Sequence, residues 1–192
     1  MQRRHADTLV RMYRTHAPSC CLTGSRIFNL ERAIMSVAIR PASEDDLAAM
    51  AFIRAQVWES EAYWLSRIGL YLKGEQSPQH ALPLRQVFVA VEDGAVVGFV
   101  AGHLTRRYVC DGELQWIDVA KDHRRQGIAG MLISTIAAWF VQQHAFRVCV
   151  DVAPENSAAR ALYVKFGAQP LSEHWLVWQD MRGVTTQSLD AH

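Results

Sequence analysis

Cysteine is scarce and unpatterned in this chain, with four in 192 residues. Cys20 and Cys21 are adjacent, Cys110 and Cys149 fall on expected strands, and no spacing matches a zinc or thioredoxin motif. Free thiols in a reducing cytoplasm are the simplest reading, so a cytoplasmic location is expected. An excess of one charge is also missing: 20 Lys+Arg face 19 Asp+Glu, which gives no basis for a broad nucleic-acid surface. No apolar run reaches the ~18 residues of a membrane span, so neither nucleic acid nor a membrane is expected as a partner. His103, His123, His144 and His174 are scattered, with no metal-ligand spacing, and no metal is expected. No serine or cysteine can be assigned to a triad. There is no G-x-x-x-x-G-K-[ST] and no strand-linked G-x-G-x-x-G, which excludes a P-loop and a dinucleotide-binding fold.

Half of the residues are hydrophobic, enough for one domain with a sizeable core. Residues 1–35 read as an N-terminal extension, either flexible chain or sequence upstream of the start that translation uses; Ile27, Leu30 and Ile34 keep open a helix lying on the domain or a partner. The domain itself is expected over 36–182, with 183–192 as a C-terminal tail. Val37–Arg40 reads as a strand ended by Pro41, and Ser43 with Asp46 as a helix start. Leu47, Met50, Ala51, Arg54 and Val57 follow at helical spacing. Ser60–Lys73 is a second, aromatic-rich helix, and Gly74–Pro83 a polar loop. Gln86–Glu92 and Ala95–Thr105 form a hairpin about Asp93-Gly94. Glu113–Val119 is the next strand. Gln126–Gln143 has helix periodicity through Ile128, Met131, Leu132, Thr135, Ile136 and Trp139. Phe146–Val152 is a strand, Asn156 caps a helix that Gly167 ends, and short strands near 168–171 and 175–181 close the domain. The order implies an α/β fold, a mixed sheet with helices on both faces.

The segment from Trp116 to Ile133 carries the sharpest chemistry. A buried strand runs into Arg124-Arg125-Gln126-Gly127-Ile128-Ala129-Gly130, which opens a helix. Gly127 and Ala129 permit close approach to exposed backbone N–H groups, the helix start is electropositive, and the arginines add charge-assisted bonds. A pyrophosphate fits such a turn without a metal. An ordinary solvated turn competes with that reading.

Arg124-x-x-Gly127-x-Ala129 resembles the [Q/R]-x-x-G-x-[G/A] motif of the GNAT superfamily of N-acetyltransferases. Asn156, Ala159, Leu162, Tyr163 and Phe166-Gly167 resemble that family's second cofactor-side motif, and the element order from Val37 to Met181 agrees. The resemblance covers about three quarters of the chain. It implies a mostly antiparallel central sheet flanked by helices, with a splayed pair formed by the Glu113–Val119 and Phe146–Val152 strands. Acetyl-CoA would be the donor, its pantetheine arm bonded along Ile117, Asp118 and Val119, its pyrophosphate over Arg124 to Gly130, with Asn156 on the pantetheine side.

The implied chemistry is direct attack of an amine on the thioester in a ternary complex. A backbone N–H near Val119 would stabilise the carbonyl oxyanion. Tyr163 is the candidate acid for the departing sulfur, against the alternative of a packed aromatic. Glu113 is the candidate base, direct or through water, against an exposed acid after Asp111-Gly112. Asp118 points opposite Glu113 by strand parity unless a bulge intervenes, and this family often has one there. Trp58, Glu61 and Trp64, with Glu59, Tyr63 and Arg67, are candidates for the acceptor site or for ordinary helix packing. A small primary amine is the expected acceptor; a protein or peptide amine, and a non-catalytic acyl-CoA sensor, are the alternatives. Trp175, Val177 and Met181 would form an edge, a homodimer interface, or the end of the core.

Overall fold

The structure is a computed structural model that describes residues 37–57 and 59–186. The extension over 1–35, with Ile27, Leu30 and Ile34, the cysteines Cys20 and Cys21, Trp58, and the tail from residue 187 onward all lie outside the described residues.

β1 (Ala38–Pro41) pairs antiparallel with β2 (Ala81–Glu92). Asp46 closes the link to the first helix: its carboxylate accepts from the Ser43 N–H at 2.8 Å and from both terminal nitrogens of Arg40 at 2.7 Å. α1 (Leu47–Ala55) buries Met50, Ala51 and Ile53. Val57, expected on the same face, lies past the helix end and is exposed. α2 (Glu61–Lys73) is capped by Ser60, whose hydroxyl accepts from the Tyr63 N–H, and it buries Trp64, Ile68 and Tyr71.

β2 begins at Ala81, inside the expected loop. Between the pairs Ala81↔Thr105 and Arg85↔His103 the register shifts, and Pro83 sits in this irregularity, where no ladder donor is required. β3 (Ala95–Thr105) returns after Asp93-Gly94, and β4 (Gly112–Val119) pairs antiparallel with β3. α3 (Ile128–Gln142) crosses to β5 (Val148–Asp151), which pairs parallel with β4. α4 (Ser157–Lys165), β6 (Gln169–Pro170) and β7 (Trp175–Trp178) follow. The residues expected as a tail from Gly183 begin inside a short helix, α5 (Arg182–Thr186), because Val184 packs into the core with Met181 and Trp178.

The sheet order is β1-β2-β3-β4-β5-β7-β6. β7 is therefore interior. Of the readings offered for this strand, the edge is corrected, and burial of Val177 and Met181 agrees with the end of the core. One face of the sheet is covered by α3 and α4, the other by α1 and α2. α3 is buried on a wider arc than its sequence period suggests, with Ile133, Ala137 and Phe140 inward and Met131 exposed. The Phe140 ring fills the hollow over Gly102 and Gly112: a β-carbon built on Gly102 would stand 2.7 Å from Phe140 Cζ.

Candidate active site

β4 and β5 share register through Gly112↔Val148, Glu113↔Cys149 and Leu114↔Val150, and then part. At the same level β4 carries a bulge. Gly102 faces Leu114 while Ala101 faces Trp116, which leaves Gln115 as the extra residue. The gap that opens is a cleft of ≈ 300 Å³ whose lining includes Gln115 to Asp118 on one strand, Asp151 to Ala153 on the other, and Tyr163 behind.

The ladder to β3 decides what β4 offers this cleft. Ala120 N–H donates to the Val97 carbonyl, and pairing then alternates through Phe99/Asp118 to Ala101/Trp116. The main-chain groups of Ile117 and Val119 consequently point away from β3 and into the gap. Arg124 Nε donates to the Val119 carbonyl at 3.0 Å, so this arginine first serves to fold the turn back onto the strand. Gln126 is similarly engaged with the Asp122 carbonyl.

The turn itself leaves its donors open. From Arg125 to Gly130 no backbone N–H finds an acceptor among the described residues. Gly127 is the N-cap of α3 at φ +86° with nothing within 4 Å of its missing β-carbon, so the turn requires its left-handed backbone. Arg125 is also left-handed, at φ 63°. Ile128 is buried in the core, whereas a β-carbon on Gly130 would meet the Phe166 ring at 3.0 Å; its smallness serves helix packing. His123 pairs with Glu92 at 3.2 Å. Open donors at a helix start could hold an anion.

Asn156 caps α4, its Oδ1 accepting from the Ala159 N–H at 3.2 Å, and stands in the cleft wall. Tyr163, one turn and more along α4, has its ring edge-on to Trp178 at 5.6 Å, and its hydroxyl has no hydrogen-bond partner among the described residues. Burial, and the Asp118 carboxylate, push the phenol above its ordinary range, so it stays protonated.

The bulge overturns the parity expectation for Glu113 and Asp118. Both face α1 and α2. Asp118 receives a short hydrogen bond from Arg54 Nη1, and burial raises its carboxyl above the usual range despite that arginine. Glu113 is buried beside His103, which meets the Tyr71 hydroxyl at 3.2 Å, and it accepts from Arg107 Nε at 3.0 Å. It does not line the cleft. Glu113, expected as a base or acceptor-contacting group, has its carboxylate in an internal ion pair with Arg107, outside the cleft lining.

Of the acceptor candidates, Trp64 is buried. Its ring lies 4.2 Å from the Arg54 guanidinium and edge-on to Trp116 at 5.9 Å. Glu61 is exposed in the first turn of α2 and outside the cleft lining. The residues missed in the sequence are Arg54, Gln115, Asp151 and His174, all of which line the cleft. A charged residue at the inward spacing of α1 was the signal available for Arg54.

A mixed sheet parted between two parallel strands, with open N–H groups at the start of the following helix, defines an acyltransferase-type fold. The family model described as "Acetyltransferase (GNAT) family" matches residues 45–168, and the chain belongs to that family as an N-acetyltransferase. Over 63 residues it is 40% identical to an uncharacterized N-acetyltransferase, YobR, of Bacillus subtilis (strain 168); the match spans 33% of this chain and 26% of that relative's length. It is 29% identical over 138 residues to an aminoglycoside N(6')-acetyltransferase type 1 of Acinetobacter haemolyticus, spanning 68% of this chain and 90% of the relative. A GNAT family N-acetyltransferase (YhbS) from Escherichia coli, solved in complex with CoA, shares the fold at TM-score 0.58 and 18% identity, covering 92% of this chain and 89% of that one.

Proposed function

We propose that the protein transfers an acetyl group from acetyl-CoA to the primary amine of a small molecule, by direct attack in a ternary complex. The observation that carries this reading is the succession of three features: main-chain groups of Ile117 and Val119 turned away from β3 into the gap, the open N–H groups from Arg125 to Gly130 in the turn that follows, and, in the cleft lining, a Tyr163 hydroxyl with no hydrogen-bond partner among the described residues. The relative that acts on aminoglycosides and the structural neighbour that holds CoA support it.

The diphosphate of the donor lies over the N–H cradle, with Arg124 and Arg125 adding charge. The pantetheine amides run along Ile117 to Val119 as an added strand, past Asn156. A β4 N–H polarises the thioester carbonyl. The neutral amine attacks that carbon, the C–S bond breaks, and Tyr163 delivers its proton to the departing sulfur. The ammonium proton goes to Asp151, a carboxylate of the cleft lining with no arginine paired to it among the described residues. Partial desolvation raises its carboxyl above the ordinary aspartate value although the residue stays exposed, while His174 works in the opposite direction. The reaction is assigned to the cytoplasm.

Thiol release from acetyl-CoA against a panel of primary amines tests the reading. Turnover with at least one small amine is expected, and Asp151→Asn should lower kcat and remove the acidic limb of its pH profile. Tight CoA binding with no transfer to any amine would instead identify a donor-binding sensor.

A further inference from the structure

We infer that Cys110 and Cys149 are a redox-sensitive modification site, a thiol pair that a peroxide closes to a disulfide at the foot of the β4/β5 splay.

Both cysteines are free and buried. With Val177 they form the buried part of a small apolar cluster, separate from the two main cores and flanked by Leu171 and Trp175. Cys149 lies on β5 between Glu113 of β4 and Val177 of β7, one pair short of the point where β4 and β5 part. Cys110 ends the connection from β3. The next residue, Asp111, ties that connection to the start of β5: its N–H donates to the Arg147 carbonyl at 2.7 Å, and its carboxylate accepts from the Phe146 and Arg147 N–H groups. The thiols then meet in a short relay. Cys149 donates to the Cys110 sulfur, and Cys110 donates to the Tyr108 carbonyl at 3.8 Å. Sulfurs in hydrogen-bond contact need only a small further approach to reach the ~2.05 Å of a disulfide.

The two thiols are unequal. Cys110 keeps 4% of its surface in solvent and Cys149 none. The hydrogen bond from Cys149, with the Arg147 charge, draws the Cys110 thiol below its ordinary value, whereas that bond and burial push Cys149 up. Cys110 is thus the attacking thiolate and Cys149 the resolving thiol. The chain beside Cys110 is also strained. Tyr108 and Val109 are left-handed at φ 51° and 57°, and Val109 is β-branched and 86% exposed. Such a surface segment opens at lower cost than the strands behind it, and it uncovers Cys110 first.

With hydrogen peroxide the step balances. The Cys110 thiolate attacks one oxygen, the O–O bond breaks, and the departing hydroxide takes up the proton that Cys110 had lost. A sulfenic acid and one water result. The Cys149 sulfur displaces the hydroxyl of that acid, and its own proton leaves with it as a second water. Two thiols are oxidised by two electrons and the peroxide is reduced by two. A dithiol reductant reverses the bond.

The test uses the full chain with Cys20→Ser and Cys21→Ser, which leaves the pair itself unaltered. Hydrogen peroxide should remove both remaining thiols, lower the intact mass by about 2 Da and yield a tryptic cross-link between the Cys110 and Cys149 peptides. The melting temperature should rise by about 5 °C or more, and dithiothreitol should restore thiols, mass and melting temperature. In a further Cys149→Ala variant, Cys110 should instead gain about 32 Da as a sulfinic acid. Two thiols that persist under peroxide, a mass gain in the chain that holds both, or a cross-linked form no more stable than the reduced one overturns the inference. None of these readouts depends on acetyl transfer.

Discussion

The Glu113 carboxylate accepts a hydrogen bond from Arg107 Nε at 3.0 Å, with side chains 5% and 17% exposed respectively. Such a pair holds the base of the splay rather than working inside it. Glu113→Gln should lower stability by about 2–3 kcal/mol, below the ~3–5 kcal/mol of a fully enclosed pair because Arg107 keeps some water. Urea unfolding measures the loss. The pH dependence of kcat should keep its shape; a vanished acidic limb with unchanged stability would restore Glu113 as a base.

Tyr163→Phe preserves the ring against Trp178 and deletes only the hydroxyl. A positioned acid contributes about 10²–10⁴-fold, so kcat should fall within that range while CoA affinity holds. Steady-state kinetics alongside a CoA titration separates the two quantities. Undiminished kcat would make this tyrosine a packing residue.

Gly127 has room for a side chain but not the backbone for one. Gly127→Ala should cost about 1–2 kcal/mol from the φ +86° conformation alone. Relaxing that strain would turn the neighbouring N–H groups, so CoA affinity should drop further than stability does. Thermal unfolding with and without CoA reads both. An alanine variant that is as stable and binds CoA as tightly would show that the left-handed turn is dispensable.

Asp46 is held down to about 2, chiefly by the hydrogen bonds from Arg40. Its folded value lies below the ~3.9 of an unfolded aspartate, so its stabilisation is complete above that value and disappears as pH falls toward 2. Melting temperatures at pH 6 and pH 3 should therefore differ more in the wild type than in Asp46→Asn. Arg40 is half in solvent, so added salt should shrink the difference. Identical acid sensitivity in the variant would remove Asp46 as its source.

What local sequence chemistry encodes was readable here. Ser43 three residues before Asp46, Asp93-Gly94 between alternating valines and Asn156 before Ala159 each specify structure within a few residues. The glycine turn with its open N–H groups was legible for the same reason, since Gly127 and its arginines are contiguous. Register was not. The bulge at Gln115 depends on how β4 meets β3, and it sends Glu113 to the same face as Asp118. The cluster of Arg54, Trp64 and Trp116 on the α1/α2 side joins residues that lie far apart in sequence and meet only when two helices settle on the sheet. α5 escaped notice because five residues with one apolar anchor carry no period.

Phe140 is wedged where Gly102 and Gly112 leave the strands bare, so bulk at these three positions is constrained as a sum. Descendants of this sequence that gain a methyl on either strand must trim the ring in the same lineage, and the three sites are expected to drift together, locking the neighbouring splay into one width while the rest of the domain diversifies.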